Sequence, residues 1–200
     1  MPRVLSETDV ADFRERLCTA AERLFAEHGP DGVTMRQLAA ELGVSPMTPY
    51  RYFKDKEAIL AAVRAGGFNR FAAALEATYD SESDAVARSR AVGDAYVHFA
   101  LTEPAAYKLM FDLMQPHEAD YPDLIAAEAR AYATQTRHVQ GMIDAGVLQG
   151  DVKLQAHMFW SILHGTLVLQ LAGKLAPEID GSVLRTELTR AMVRGLTAAR

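Results

Sequence analysis

A cluster of side chains in the first third of the chain carries groups suited to nucleic-acid contacts. Within five positions it offers hydroxyls, one guanidinium and two aromatic faces: Thr48, Tyr50, Arg51 and Tyr52. Hydroxyl and guanidinium groups bind phosphate oxygens, and a guanidinium also matches the edge of guanine in the major groove. The cluster therefore predicts contact with a nucleic acid, provided that the local structure exposes it.

A short helix is predicted immediately before this cluster. Thr34 and Gln37 have the spacing of a capping box, so the helix is expected to begin at Met35. Gly43 stands just past its end, a position that usually needs a positive φ. A tight glycine turn should therefore follow this helix.

A second helix is predicted after the turn. Ser45 can cap it, and Pro46 would fall at its first position, where a missing N–H costs nothing. Pro49 removes about the first hydrogen bond inside this helix, which should make it short and irregular at its start. Two helices so close in sequence cross steeply, and the second can then present its exposed side to a major groove.

Positive charge is concentrated in the same segment. Between residues 34 and 56 four cations stand against two acids, a local charge of +2 (four minus two) in a chain of formal net charge −5. The four cations are Arg36, Arg51, Lys54 and Lys56. Asp55 can cap a third helix, and Lys56 lies in the first turn of that helix. The positive end of the helix dipole repels the ammonium of Lys56, and a phosphate bound there would offset this repulsion.

The N-terminal region as a whole resembles the helix-turn-helix domain of the tetracycline-repressor (TetR) family of bacterial transcription regulators. The family pattern is matched in order and spacing over about residues 10 to 60: A-x-x-L-F-x-x-x-G, T-x-R-x-[IL]-A, G-V-S and Y-x-Y-F-x-x-K. A preceding helix fits too, because Phe13, Leu17 and Phe25 recur at helical spacing and Gly29 ends the pattern.

The resemblance implies a set of contacts to double-stranded DNA. Phosphate contacts would come from Thr34, Tyr52 and Lys56, and base contacts from Arg36, Thr48, Tyr50 and Arg51. Pro49 departs from the family, which commonly has an aliphatic residue there. The full predicted set is Thr34, Arg36, Ser45, Pro46, Met47, Thr48, Tyr50, Arg51, Tyr52 and Lys56.

The remainder of the chain keeps the apolar period of helices and shows no strand pattern of any length, so the predicted fold is all-α. We expect a three-helix helix-turn-helix domain over residues 1–58 and a helical ligand-sensing and dimerisation domain over residues 59–200. The pair Gly66-Gly67 lies in a long helix after Asp55. It indicates either a hinge or close packing against a neighbour, and we favour packing.

Residues 156–172 are apolar nearly all round and must be buried on several sides. The run is too short and too polar to span a membrane. A subunit interface explains it better, because the last helix also carries an apolar stripe that includes Leu184 and Leu188. We expect a homodimer through the helices around residues 152–173 and 182–198, an arrangement that the resemblance also implies.

An effector pocket is predicted around Trp160. The spacing of Trp160, His164 and Gly165 is similar to a TetR subgroup whose sensor domain is named for a Trp-His-Gly signature. A mostly apolar pocket with a few polar groups suits a small molecule. The alternative is a packed core with a hydrogen-bonded histidine. The predicted ligand-binding residues are Tyr96, Phe99, Tyr107, Met110, Tyr132, Trp160 and His164.

An enzyme is the competing class of function. Asp94 with His98, and His157 with His164, have spacings that suggest a metal site in a helical bundle. A carboxylate-bridged site would need a Glu-x-x-His pair, and the sequence has none, nor any nucleophile elbow, Walker loop or dinucleotide pattern. We therefore predict no catalytic residue, no metal and no cofactor.

A secretory signal contains an apolar run, and the N-terminus has none before its first acids. Cys18 is the single cysteine. Both features favour a cytoplasmic protein with no membrane partner. The predicted function is a ligand-responsive repressor that binds a palindromic operator as a homodimer and is released by an unknown small molecule. A ligand-independent regulator, whose pocket is filled by core side chains, is the alternative within this class.

Overall fold

The computed structural model describes residues 6–111 and 118–197 of the 200-residue chain. These residues form eight α-helices and two short 3-10 helices, and no strand occurs among them, which confirms the all-α prediction. The α-helices are α1 (Glu7–His28), α2 (Met35–Glu41), α3 (Lys56–Ser81), α4 (Ala85–Thr102), α5 (Pro104–Met110), α6 (Pro122–Asp144), α7 (Val152–Leu171) and α8 (Gly181–Leu196). The 3-10 helices are Pro49–Arg51 and Glu118–Asp120.

The chain divides into two compact units. The first unit comprises Met1–Phe68 and Ala105–Glu128, and the second comprises Asn69–Pro104 and Ala129–Arg200. We predicted that the DNA-binding domain ends at residue 58. The division into compact units does not show which segment binds DNA, so this boundary stays a prediction.

Local capping interactions set the helices at the start of the first unit. The backbone N–H of Gln37 donates to Thr34 Oγ1 at 3.2 Å, and the backbone N–H of Thr34 donates to Gln37 Oε1 at 2.8 Å. These two bonds confirm the capping box. Gly43 has a φ of +66°, as the turn requires. Asp55 accepts from the amide of Ala58 at 2.8 Å and so caps α3 as predicted.

The core of the first unit contains side chains from α1, α2, α3 and α5. Leu17, Phe25 and Leu38 are fully buried, and Leu109 of α5 belongs to the same cluster. Each such side chain contributes roughly 1.5–3 kcal/mol of burial free energy. Cys18 packs at its margin, where burial raises the pKa of the thiol to about 11, so the thiol is protonated at neutral pH.

The contact at Gly67 supports close packing as the role of this glycine. A Cβ atom added at Gly67 would lie 3.0 Å from Met110 Sδ and 3.1 Å from Met110 Cγ. A larger side chain would therefore force Met110 to move.

The second unit is built around α7, which packs against α8 and α4. Val139, Met142 and Phe159 form part of a buried cluster that joins α6 to α7. On α4, the rings of Tyr96 and Phe99 both pack edge-on against Phe71, with centroids 5.0 Å and 5.2 Å away. No helix of the described residues is long and apolar enough to cross a membrane.

Candidate DNA-binding site and cavity

The segment after Gly43 differs from the predicted second α-helix. We expected that helix to begin at Pro46, but residues 46–47 form a turn and Pro49–Arg51 form a 3-10 helix. The amides of Thr48, Arg51 and Tyr52 each bond to the carbonyl three residues earlier, at 2.9, 3.1 and 3.0 Å. Pro49 explains the difference, because it has no N–H to donate to the Ser45 carbonyl in an α-helical pattern.

The ten residues predicted to bind DNA all have exposed or half-buried side chains. Seven are exposed, namely Thr34, Arg36, Ser45, Pro46, Met47, Tyr50 and Arg51, and three are half-buried, namely Thr48, Tyr52 and Lys56. Pro49 and Phe53 are buried and anchor the chain between them. We call residues 45–52 the recognition segment. Two of its large side chains are exposed to solvent, Met47 at 68% and Tyr50 at 48%.

Two residues of α1 fix the end of the recognition segment. Arg14 Nη1 donates to the carbonyl of Tyr52 at 2.5 Å, and the guanidinium lies 4.0 Å from the centre of the Phe53 ring. The ring of Phe13 stacks on the ring of Tyr52, with centroids 4.2 Å apart. Sequence reasoning missed the role of Arg14 because its partner lies 38 positions away.

Lys56 has a protein partner that the sequence did not reveal. Its Nζ donates to the Pro30 carbonyl at 2.6 Å, and this bond holds the ammonium near the start of α3. Two of the three N–H donors of the ammonium remain for another acceptor. The predicted phosphate contact of Lys56 stays a prediction.

Both acids of this segment have partners within the protein. Glu41 forms an ion pair with Arg23 of α1, and Asp55 is used as a helix cap. In the described part of the chain, Arg36, Arg51 and Lys54 take part in no ion pair. These three cations therefore remain available to an anionic partner.

A cavity of about 540 Å³ lies inside the second unit, between α4, α6, α7 and α8. This volume falls within the usual range of small-molecule sites. Of the predicted ligand-binding residues, Tyr96 and Trp160 line it, and Trp160 Nε1 donates to the Tyr96 hydroxyl at 3.0 Å.

The other predicted ligand-binding residues lie elsewhere. Phe99 packs on Phe71, the ring of Tyr132 lies 5.4 Å from that of His157, and half-buried His164 stands beside Trp160. Tyr107 and Met110 are buried in the first unit. The structure thus brings only part of the predicted set to this cavity, and the ligand contacts stay predictions.

Polar residues of the cavity wall were missed by sequence reasoning. Ser89 Oγ lies 3.0 Å from His138 Nδ1, and both residues line the cavity together with Arg185. Burial lowers the pKa of His138 to about 4, so its imidazole is neutral at pH 7. No local pattern distinguishes these residues from ordinary polar positions of helices, because three different helices supply them.

Burial of His138 predicts an acid-dependent loss of stability. The pKa is about 4 in the folded chain and about 6.5 in the unfolded one, so only the unfolded state gains a proton in that interval. Stability is therefore complete above about pH 6.5 and falls as the pH drops toward 4. We expect the wild type to lose about 2–3 kcal/mol more than His138→Gln between about pH 7 and pH 4.5.

Urea unfolding at several pH values measures this difference. His98→Gln, which replaces an exposed histidine of α4, is the matched control and should follow the wild type. An equal pH dependence for wild type and His138→Gln would contradict a neutral, buried imidazole.

Comparison with known proteins decides the family. The family model described as "Tetracyclin repressor-like, C-terminal domain" matches residues 89–196, more than half of the chain, and the model described as "Bacterial regulatory proteins, tetR family" matches residues 17–63. The chain belongs to the TetR family. This is a family of transcription regulators and not of enzymes, in agreement with the prediction of a non-enzymatic protein.

Three relatives illustrate the similarity of this TetR-family chain to known proteins. An HTH-type transcriptional regulator of Mycobacterium bovis is 26% identical over 148 residues, which cover 70% of this chain and 59% of the relative's length. An HTH-type transcriptional repressor of Mycobacterium tuberculosis is 37% identical over 73 residues, or 36% of this chain and 38% of the repressor. A solved structure from Rhodococcus sp. RHA1, a protein with unknown function, has a TM-score of 0.81 at 30% identity and covers 99% of this chain and 100% of that one.

Proposed function

We propose that this TetR-family protein is a repressor that binds a palindromic DNA operator as a homodimer and is released by a small molecule bound in the second unit. Exposure of the recognition segment carries this proposal. Met47, Tyr50 and Arg51 project unpaired groups from a turn that Arg14 and Phe13 hold firmly. Exposed apolar groups beside unpaired cations are typical of an interaction site for an anionic partner.

The proposed DNA contacts follow from side-chain chemistry. Arg51 is the best candidate for a bidentate contact to guanine, and Met47 and Tyr50 supply apolar surface for a thymine methyl group. Thr34, Tyr52 and Lys56 would contact phosphates and set the register of the segment on the duplex. Arg36 and Lys54 add attraction that does not depend on sequence.

Dimerisation would cover the apolar surface of α7 and α8. Several large apolar side chains of these two helices are 39–62% exposed, namely Leu154, Val168, Leu169, Leu171, Val183 and Leu188. The same two helices of a second copy can pack on them as a four-helix bundle. A two-fold axis would then place two recognition segments in successive major grooves, about 34 Å apart.

Effector control would act through the cavity of the second unit. A ligand shifts the balance between two conformations only by its different affinity for each. The effector must therefore fit the cavity better in the conformation whose recognition segments do not match the operator spacing. The naming of the Mycobacterium tuberculosis relative as a repressor supports this sign of regulation. Binding to chromosomal DNA would also place the protein in the cytoplasm, as the sequence analysis expects.

Selection of bound fragments from a pool of random duplex DNA tests the proposal. The expected product is an inverted repeat whose half-sites are about one helical turn apart. Enrichment of a single half-site would contradict the two-fold arrangement, and no enrichment at all would contradict sequence-specific binding.

A further inference from the structure

The cavity of the second unit combines an apolar wall with cationic side chains. Its apolar part includes Val92, Met142, Phe159 and Trp160. Three arginines also line it, Arg90, Arg185 and Arg190, whereas Asp94 is its only acid among the described residues. With His138 neutral, the lining residues carry a formal net charge of +2, three cations minus one acid, and one of these cations, Arg190, is paired with Glu187 outside the lining.

Arg185 is the least expected of these groups. It is 8% exposed, and its Nη1 donates at 2.7 Å to the side-chain oxygen of Gln170, a neutral amide. Within the described residues Arg185 forms no ion pair. The carboxylate of Asp180, which caps α8, attracts the guanidinium through space but is not bonded to it. A guanidinium has five N–H donors, and a buried cation without a directly bonded counter-ion is costly. An anion in the cavity would supply a directly bonded counter-charge and further acceptors.

The other two arginines differ in their pairing. Arg190 forms an ion pair with Glu187 on the same helix, so its charge is already balanced. Arg90 is exposed and, among the described residues, takes part in no ion pair. One buried and one exposed cation are thus left to attract an anion toward the cavity.

From this arrangement we infer that the ligand of the cavity is an organic anion with an apolar body, whose acidic group binds Arg185 while its body packs against Phe159 and Trp160. The inference rests on the proposed function in taking this cavity as the effector site. It adds the chemical class of the effector. A charge-assisted, bidentate contact to the guanidinium would set this class apart from neutral compounds of the same size.

Matched eight-carbon probes test the inference directly on the full-length protein. Trp160 is the single tryptophan of the chain and lines the cavity, so its fluorescence reports binding, with calorimetry as an independent measure. We expect octanoate to bind about 10- to 100-fold more tightly than 1-octanol, and octylamine to bind no better than the alcohol. Inorganic phosphate, which has no apolar body, should not compete with octanoate at millimolar concentration.

Arg185→Gln identifies the anchor. This variant should lose the preference for octanoate over 1-octanol and keep the affinity for the alcohol. Arg194→Gln removes the same charge from α8 outside the cavity and should behave as the wild type. The comparison of the three probes with the unaltered protein requires no variant, so a folding defect in Arg185→Gln does not weaken the test.

Equal affinity of the wild type for octanoate and 1-octanol, or failure to bind either, would overturn the inference. A preference for octanoate that persists in Arg185→Gln would overturn the assigned anchor. Operator binding is measured separately by fluorescence anisotropy. If octanoate binds and operator affinity does not change, the ligand class stands and the proposed effector release fails.

Discussion

Replacing Arg51 with alanine is expected to weaken binding to the selected operator by about 30-fold to 10⁴-fold. A bidentate contact to guanine contributes roughly 1–3 kcal/mol of discrimination, and a homodimer loses two such contacts, or roughly 2–6 kcal/mol. Arg51 is exposed at the end of the 3-10 helix and, in the described part of the chain, takes part in no ion pair. Its removal should therefore leave folding unchanged. Fluorescence anisotropy with labelled operator measures the loss.

A control variant tests whether the loss of affinity is specific to Arg51, and a scrambled duplex tests whether it is specific to the operator sequence. Arg137→Ala removes an arginine of the second unit whose side chain is 56% exposed, and its operator affinity should equal that of the wild type. Binding of Arg51→Ala to scrambled DNA should fall much less than binding to the operator. If both duplexes lose affinity equally, Arg51 contacts phosphate and does not read bases.

The double variant Val168→Asp/Leu188→Asp is expected to be monomeric and to bind the operator at least about 100-fold more weakly. Both side chains are exposed in the single chain, 44% and 39%, so neither substitution disturbs the core. In the proposed dimer they would bury four carboxylates, at a cost of several kcal/mol for each unpaired charge. Sedimentation equilibrium measures the mass, and circular dichroism checks that the helices remain.

A second double variant controls for added acidity. Leu101→Asp/Ile125→Asp changes two apolar residues of similar exposure, 42% and 44%, that lie outside α7 and α8. We expect this variant to remain a dimer. A dimeric Val168→Asp/Leu188→Asp protein, or a monomeric wild type, would contradict the proposed interface.

Local chemistry explains which features could be predicted from the sequence. The capping box of Thr34 and the positive φ of Gly43 each depend on residues within a few positions, so short patterns contain all the relevant information. The start of α3 after Asp55 is predictable for the same reason. Pro49 is an intermediate case. Its missing N–H predicted irregularity, but neither the 3-10 form of the segment nor the burial of the proline ring could be read from the sequence.

Contacts between distant segments could not be predicted in this way. Periodicity shows that Tyr107 and Met110 lie on a buried face of a helix, but it does not show which neighbour buries them. The structure packs Met110 against Gly67 in the first unit. Arg185 likewise has the pattern of a surface residue of α8, and only the fold shows that it is buried beside a cavity.

A change in half-site spacing tests whether two recognition segments related by a two-fold axis bind one duplex. Insertion of about five base pairs between the half-sites of the selected operator turns one half-site to the opposite face of the helix. We expect a loss of affinity of at least about 100-fold, because one dimer can then engage only one half-site. Unchanged affinity for the lengthened operator would contradict the two-fold arrangement.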